Sequence, residues 1–394
     1  MTVPDASCPN CRASNLMPFY QIDGVPAHSC LLMPEREQAL GYPTGDLHLA
    51  FCENCGFITN QRFDMGLEEY SPLYEETQHF SARFNAFAHS LASRWIETYG
   101  IRDKQILEIG CGKGEFLDLL CELGGNRGIG VDPGCIPERM TEEARSRITV
   151  IQDYYSEKYS DLTADVVLCR HTLEHIPNTL EFVSMIRRAL EIRPETLVLF
   201  ELPDTTRVLH DRAFWDLYYE HCSYFTAGSL ARLFRSCRFD LLELRRDYDD
   251  QYLLIAALPS KAPTEESLEL ENDFEETKSK VLAFRDDYDA KIQEWKSRLV
   301  ELSKAGNRII AWGSGSKCVS FLTTLGIGPE IDYVVDINPF KQGKYLPGTG
   351  HEIVAPEFLR EQPPGAIVVM NPIYCDEIRS SLEDLGVTAE LLPV

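Results

Sequence analysis

The run Tyr218-Tyr219-Glu220-His221-Cys222-Ser223-Tyr224-Phe225 brings three phenols, a carboxylate and an imidazole close together in the chain. An imidazole takes up a proton near neutral pH, and a neighbouring carboxylate can fix its tautomer. A phenol can hydrogen-bond a carbonyl oxygen as that oxygen becomes an enolate. The set suits proton abstraction beside a ketone. It also suits a structural aromatic hairpin with satisfied polar tips, and composition alone does not choose between the two.

A second set is built on glycine. Glu108-Ile109-Gly110-Cys111-Gly112-Lys113-Gly114 follows a short apolar run and opens a helical pattern at 115–123. Gly110, Gly112 and Gly114 let the backbone approach a ligand closely at a strand-to-helix turn. Asp132, 18 residues after Gly114, ends the next strand pattern, where a carboxylate can take both ribose hydroxyls. Asp153, after the third strand pattern, is positioned for an adenine amino group, and Glu108 for the methionine end of a donor. The ExGxGxG spacing differs from the GxGxxG of pyrophosphate-binding turns, and so favours S-adenosylmethionine over NAD. His171, in segment 170–176 after the fourth strand pattern, falls at the carboxyl edge of the sheet, within reach of donor or acceptor. Glu174 and His175 read as residues that cap and pack the following helix.

Cys8-Pro9-Asn10-Cys11 and Cys52-Glu53-Asn54-Cys55 supply two pairs of thiols with 40 residues between them. Two such knuckles suit a tetrahedral zinc site, and four thiolates close its shell, so its role is structural. The intervening segment is rich in Pro and Gly and too small to hold a core without a staple. Cys30, His28 and His48 within it read as unrelated to the metal. Further on, Gly313-Ser314-Gly315-Ser316-Lys317 joins a strand pattern to a helical one. Gly313, Gly315 and Lys317 suit a phosphate at a helix N-terminus, and a tight connection without a ligand fits equally well.

The elements that must position these residues follow from apolar periodicity. Runs at 106–110, 128–132, 149–151, 165–169 and 196–200 alternate with helical patterns, which predicts a parallel sheet covered by helices on both faces. A charged stretch at 260–303, with helical spacing of Leu, Phe and Trp, predicts one or two amphipathic helices between domains. Strand patterns at 308–312, 331–336 and 366–370 predict a smaller α/β unit. The expected organisation is a zinc-binding lobe at 1–66, an α/β class I methyltransferase Rossmann-like core at 67–258, a helical linker at 259–305 and a C-terminal α/β nucleotide-fold-like domain at 306–394.

Composition narrows the partners. A chain of 394 residues suggests two or three domains. A net charge of −24 repels nucleic acid and anionic lipid, and argues against either as a partner. Nothing approaches the roughly 18 apolar residues of a membrane helix. Met1-Thr2-Val3-Pro4-Asp5 has neither a basic start nor an apolar run, so a cytoplasmic location is expected.

The order of these features resembles the sugar C-methyltransferase family, whose S-adenosylmethionine-dependent enzymes act on nucleotide-linked deoxy-keto sugars. The run Asp336-Ile337-Asn338-Pro339-Phe340-Lys341-Gln342-Gly343-Lys344-Tyr345-Leu346-Pro347-Gly348-Thr349 is similar to that family's D-x-N-P-x-K-Q-G-x-x-x-P-G-T signature. The resemblance spans essentially the whole chain. It implies Tyr218, Glu220 and His221 as catalytic residues, with His221 as base and Tyr74 as a second active-site tyrosine (Tyr70 being the alternative). It also implies an enolate held by hydrogen bonds without a catalytic metal, and a nucleotide sugar as the small-molecule acceptor. A monomer is preferred, since three linked domains can enclose the site. Tyr219 departs from the histidine usual there, and the turn at Gly313 and the Asn371-Pro372 pair also differ. These departures leave open O-methylation of another acceptor, a non-catalytic protein binding zinc and S-adenosylmethionine, or an NAD-dependent sugar enzyme.

Overall fold

The computed structural model describes residues 7–68, 70–262 and 266–394. Its largest sheet has seven strands in the order Phe239–Asp247, Tyr252–Pro259, Leu197–Pro203, Val166–Arg170, Gln105–Ile109, Arg127–Val131, Ile148–Ile151. All run parallel except Tyr252–Pro259, which is antiparallel to both neighbours. Helices cover both faces, so the inner strands are near-continuous apolar runs; every residue of Val166–Arg170 is buried. Strand Gln105–Ile109 pairs with Arg127–Val131 on one side and Val166–Arg170 on the other. The chain therefore leaves these strands in opposite directions, and a crevice opens at their carboxyl ends. Helix Glu115–Gly124 starts there, with Glu115 and Asp118 in its first turn complementing the positive end of its dipole.

The N-terminal lobe contains a feature the sequence does not announce. Strands Leu16–Pro26, Thr44–Cys52 and Ile58–Asn60 form an antiparallel sheet, and Ser223–Tyr224 from the phenol-rich segment adds its fourth strand. Register shifts between Pro18 and Tyr20 and between Ile22 and Val25 break the alternation that would mark the first strand. The fourth strand is two residues long and acquires its identity only through its partner.

The charged stretch forms one helix, Phe274–Lys304, whose buried Val281, Phe284, Trp295 and Leu299 share one face. Phe284 meets Phe19 and Tyr20 edge-on, with ring centroids 6.0 and 5.7 Å apart. Beyond it, five parallel strands run in the order Ile353–Val354, Val334–Val335, Ile309–Trp312, Ala366–Val369, Glu390–Pro393. One continuous core joins Leu47 and Phe51 of the N-terminal lobe to Phe214, Trp215, Trp295 and Phe321. That shared core holds the three units around the crevice. No helix among the described residues is long and apolar enough to cross a membrane.

Candidate active site

One cavity of about 750 Å³ opens at the carboxyl edge of the large sheet and is walled by all three units. Every catalytic, donor-binding and acceptor-binding residue named from the sequence lines it, except Gly114. Gly114 instead caps helix Glu115–Gly124 with φ of 83°.

The glycine turn forms a cradle that only hydrogen can line. Gly110 has φ of 71°, and a Cβ there would stand 2.0 Å from Thr172 Oγ1. A Cβ on Gly112 would stand 2.9 Å from Glu76 Oε1. Asp132 pins the turn by accepting from the Gly112 N–H at 2.9 Å and the Gly134 N–H at 2.6 Å. Burial raises its pKa, and the two amides resist that shift.

Glu108 is buried, and its Oε2 has no hydrogen-bond partner among the described residues. Burial, only partly offset by Arg170, pushes its carboxyl up to about 8. A buried, neutral acid with a spare oxygen suits a ligand that brings a positive charge. His171 has φ of 46° and sits 3.1 Å from Glu201 Oε1. Burial disfavours its charge, yet Glu174 and Glu201 hold its pKa up at about 9, so it is an imidazolium at neutral pH. Asp153, at the rim, is paired with Lys158 and accepts from the Tyr159 hydroxyl at 2.6 Å. Those bonds, Lys158 first, pull it down to about 2.

On the opposite wall, His221 is 7 % exposed, and its ring centroid lies 4.2 Å from that of Tyr218 and 4.8 Å from that of His175. Burial, reinforced by the nearby positive charges of His171 and Lys317, drives its pKa well below the usual value. It is therefore unprotonated at neutral pH. Glu220 does not orient it, contrary to the tautomer-fixing role expected from their adjacency. Its Oε1 instead meets His28 Nδ1 at 2.8 Å and accepts from the Ser29 N–H at 2.7 Å. Its Oε2 accepts from the Ser316 hydroxyl at 3.4 Å, at the N-terminal end of helix Ser316–Leu325. Burial alone would raise the Glu220 pKa, but these partners, His28 foremost, bring it below the ordinary carboxylate range.

The two candidate tyrosines differ. The Tyr70 hydroxyl is 2.8 Å from His175 Nδ1, whereas Tyr74 lines the cavity with its ring 5.7 Å from that of His28. Burial keeps both phenols protonated. Lys317 also lines the cavity, but its ammonium is 2.9 and 3.0 Å from the Asp216 carboxylate and 3.4 Å from Gln251 Oε1. Arg207 reaches the same carboxylate at 2.5 Å. Gly313 (φ 99°) and Gly315 line the wall beside it.

Three functional neighbours were not legible in the sequence. His28 is fully buried and bridges Glu220 to Glu68, 3.3 Å from its Nε2. His175 is no mere packing residue, since it faces the cavity with Nδ1 2.9 Å from the Glu220 carbonyl oxygen. Asp216 neutralises Lys317. For His28 the one available signal is that it is a histidine in a segment otherwise poor in chemistry.

At the far end of the N-terminal lobe, Cys8, Cys11, Cys52 and Cys55 bring their sulfurs within 4.8 Å of one another. Cys8–Cys55 and Cys11–Cys52 are 3.7 and 3.6 Å apart. Those separations are too long for disulfides. They match the edge of a tetrahedron with metal–sulfur bonds of about 2.3 Å, roughly 3.8 Å. Each knuckle turns through a left-handed residue, Arg12 and Gly56. Each also aims its asparagine at the other's sulfur, Asn54 at Cys11 and Asn10 at Cys55. N–H···S bonds of this kind favour thiolates.

A Rossmann-like sheet with a glycine cradle, a carboxylate on its second strand and a buried acid without a partner defines a class I S-adenosylmethionine-dependent methyltransferase. Residues 80–244 match the methyltransferase domain family, and residues 256–388 match the C-methyltransferase C-terminal domain. The chain thus carries a methyltransferase domain followed by a C-methyltransferase C-terminal domain. It is 24% identical over 366 residues to the C-methyltransferase NovU of Streptomyces niveus, a match covering 88% of this chain and 85% of that one. A shorter similarity, 29% over 108 residues, covers 25% of this chain and 41% of the tRNA U34 carboxymethyltransferase of Helicobacter pylori strain G27. Among solved structures, the 1,6-didemethyltoxoflavin-N1-methyltransferase of Burkholderia thailandensis, with S-adenosylhomocysteine bound, superimposes with a TM-score of 0.33 at 20% identity. That superposition covers 44% of this chain and 79% of the other, and decides nothing about the acceptor.

Proposed function

We propose that this methyltransferase methylates a carbon of a nucleotide-linked keto-deoxysugar through an enolate, with His221 as the general base. The observation that carries the reading is the His221 imidazole, unprotonated in the wall of the cavity that the donor cradle also lines. The similarity to NovU along most of both chains supports carbon as the methylated atom.

S-adenosylmethionine supplies an electrophilic methyl group on a sulfonium. Gly110, Gly112 and Asp132 hold it, with Glu108 toward its cationic end and Asp153 toward its adenine. A nitrogen of His221 takes the proton from the carbon beside the ketone, and the C–H electron pair moves into the enolate. The Tyr74 and Tyr218 hydroxyls donate hydrogen bonds to the enolate oxygen, which suits them because burial keeps both protonated. The enolate carbon then forms a bond to the methyl carbon as the S–C bond breaks, and His221 passes its proton to solvent. Glu220 positions His28 and Ser29 beneath the tyrosines. Lys317, with Gly313 and Gly315, receives a phosphate, sharing the ammonium between that group and Asp216.

The reading includes a structural zinc at Cys8, Cys11, Cys52 and Cys55, a monomeric enzyme and the domain limits given above. It also includes a cytoplasmic location, since thirteen cysteines without a disulfide suit a reducing compartment. The test is solvent exchange. In deuterium oxide with S-adenosylhomocysteine, a panel of nucleotide-linked keto-deoxysugars should include one that takes up deuterium beside its carbonyl, and His221→Ala should stop it. Methyl transfer to a hydroxyl without any such exchange would overturn the carbon chemistry.

A further inference from the structure

We propose that Glu174, His175 and His221 form a second metal site, which takes a divalent transition ion such as zinc and, when filled, blocks the enzyme. One ligand atom from each residue lies within 4.8 Å of the other two, and all three residues line the cavity. Two imidazoles and a carboxylate leave a fourth position open, the donor set of an accessible zinc site rather than a closed one.

The hydrogen bonds around the three residues leave their ligand atoms available. His175 Nδ1 lies 2.9 Å from the Glu220 carbonyl oxygen, which can only accept, and 2.8 Å from the Tyr70 hydroxyl, which can accept too, so that nitrogen carries the proton. The Nε2 lone pair is then left for a metal. An imidazole held by a backbone carbonyl in this manner is the usual outer-shell arrangement of a metal-binding histidine. Glu174 is 3 % exposed. Its Oε1 is 3.6 Å from His171 Nδ1, while Oε2 is buried without a hydrogen-bond partner among the described residues. A buried carboxylate oxygen without a partner is costly, and a cation removes the cost. Strand Ser223–Tyr224, paired to the N-terminal lobe, fixes His221 opposite the turn Leu173–His175.

The blocking effect rests on the proposed role of His221. A metal on its imidazole occupies the lone pair that would accept the substrate proton. The ion therefore acts as an inhibitor, and the enolate chemistry itself runs without metal.

The experiment uses the full chain with its four-cysteine site already filled with zinc, titrated with cobalt(II). The expected result is one further equivalent bound, with visible d–d absorption and no thiolate charge-transfer band, and methyl transfer falling in step until a chelator restores it. Glu174→Gln, of the same shape, should lose at least tenfold in cobalt affinity while keeping its cysteine-bound zinc and its affinity for S-adenosylhomocysteine, which certifies the fold. No second equivalent, or equal cobalt binding by Glu174→Gln, overturns the site. Cobalt bound at full turnover leaves the site standing and removes His221 as the base. His221-dependent deuterium exchange without cobalt binding does the reverse.

Discussion

Replacing Asp132 with Asn tests the donor site most directly. Both Asp132 oxygens accept from backbone amides of the turns they join, Gly112 at 2.9 Å and Gly134 at 2.6 Å. An asparagine of the same shape keeps one acceptor, and turns an NH₂ group toward the other amide, so one turn loses its tether. The charge-assisted bonds proposed to the donor's ribose hydroxyls go as well. A hydrogen bond to a charged group contributes about 1.5–3 kcal/mol, and an orphaned buried donor costs about 1–3 kcal/mol. A net loss of about 3 kcal/mol corresponds to a dissociation constant for S-adenosylhomocysteine raised on the order of 100-fold. Isothermal titration of Asp132→Asn against the parent enzyme measures it, with circular dichroism to verify the fold. A change below about threefold would refute the assignment, because neither the tether nor the ribose contact would then contribute to binding.

Glu108 sets a pH dependence. Its pKa of about 8 in the free protein means that it holds a proton at neutral pH, whereas a bound cation requires the ionised form. Binding of S-adenosylmethionine should therefore release a proton, tighten as pH rises toward 8 and level off above it. Binding heats that do not vary with the ionisation enthalpy of the buffer would contradict this. His221→Ala should lower kcat by about 10²–10⁴-fold with donor affinity unchanged, as expected for loss of a general base; a parallel loss of donor affinity would point to a structural role. Gly110→Ala should destabilise the fold, since φ of 71° costs a side chain about 1–2 kcal/mol and the added Cβ meets Thr172 Oγ1 at 2.0 Å. A melting temperature within a degree of the parent would show that the turn yields. Stripping metal from the four cysteines with a strong chelator should lower the melting temperature and abolish methyl transfer together, because the lobe they staple carries His28; metal analysis before and after checks the stoichiometry.

The features readable from the chain were those whose geometry is local. The cradle at Gly110 and Gly112 sits where a buried strand must turn into a helix, so spacing alone places it at the mouth of a sheet. The two cysteine pairs are knuckles complete within a few residues each, and the four sulfurs lie together as the pairs imply. The parallel strands at the centre of both α/β units were legible from periodicity for the same reason, whereas the outer strands Phe239–Asp247, Ile353–Val354 and Glu390–Pro393 were not. By contrast, adjacency in sequence misled at Glu220, which lies in a turn closed by the His221 N–H donating to the Tyr218 carbonyl, and so points away from His221. Its actual partner, His28, is 192 residues distant. Tyr70 and His175, 105 residues apart, meet in the same manner.

The chain by itself determined the class of donor site, the metal-ready thiols and the order of the three units, because local spacing and hydrophobic period encode them. Only the tertiary structure decided which carboxylate serves which histidine, that Lys317 is matched by Asp216, and that Ser223–Tyr224 completes a sheet begun in the N-terminal lobe. These contacts arise where three units bury a common core around one cavity. No pattern within a short stretch of sequence records which distant side chain will be left without water and so must find its partner there.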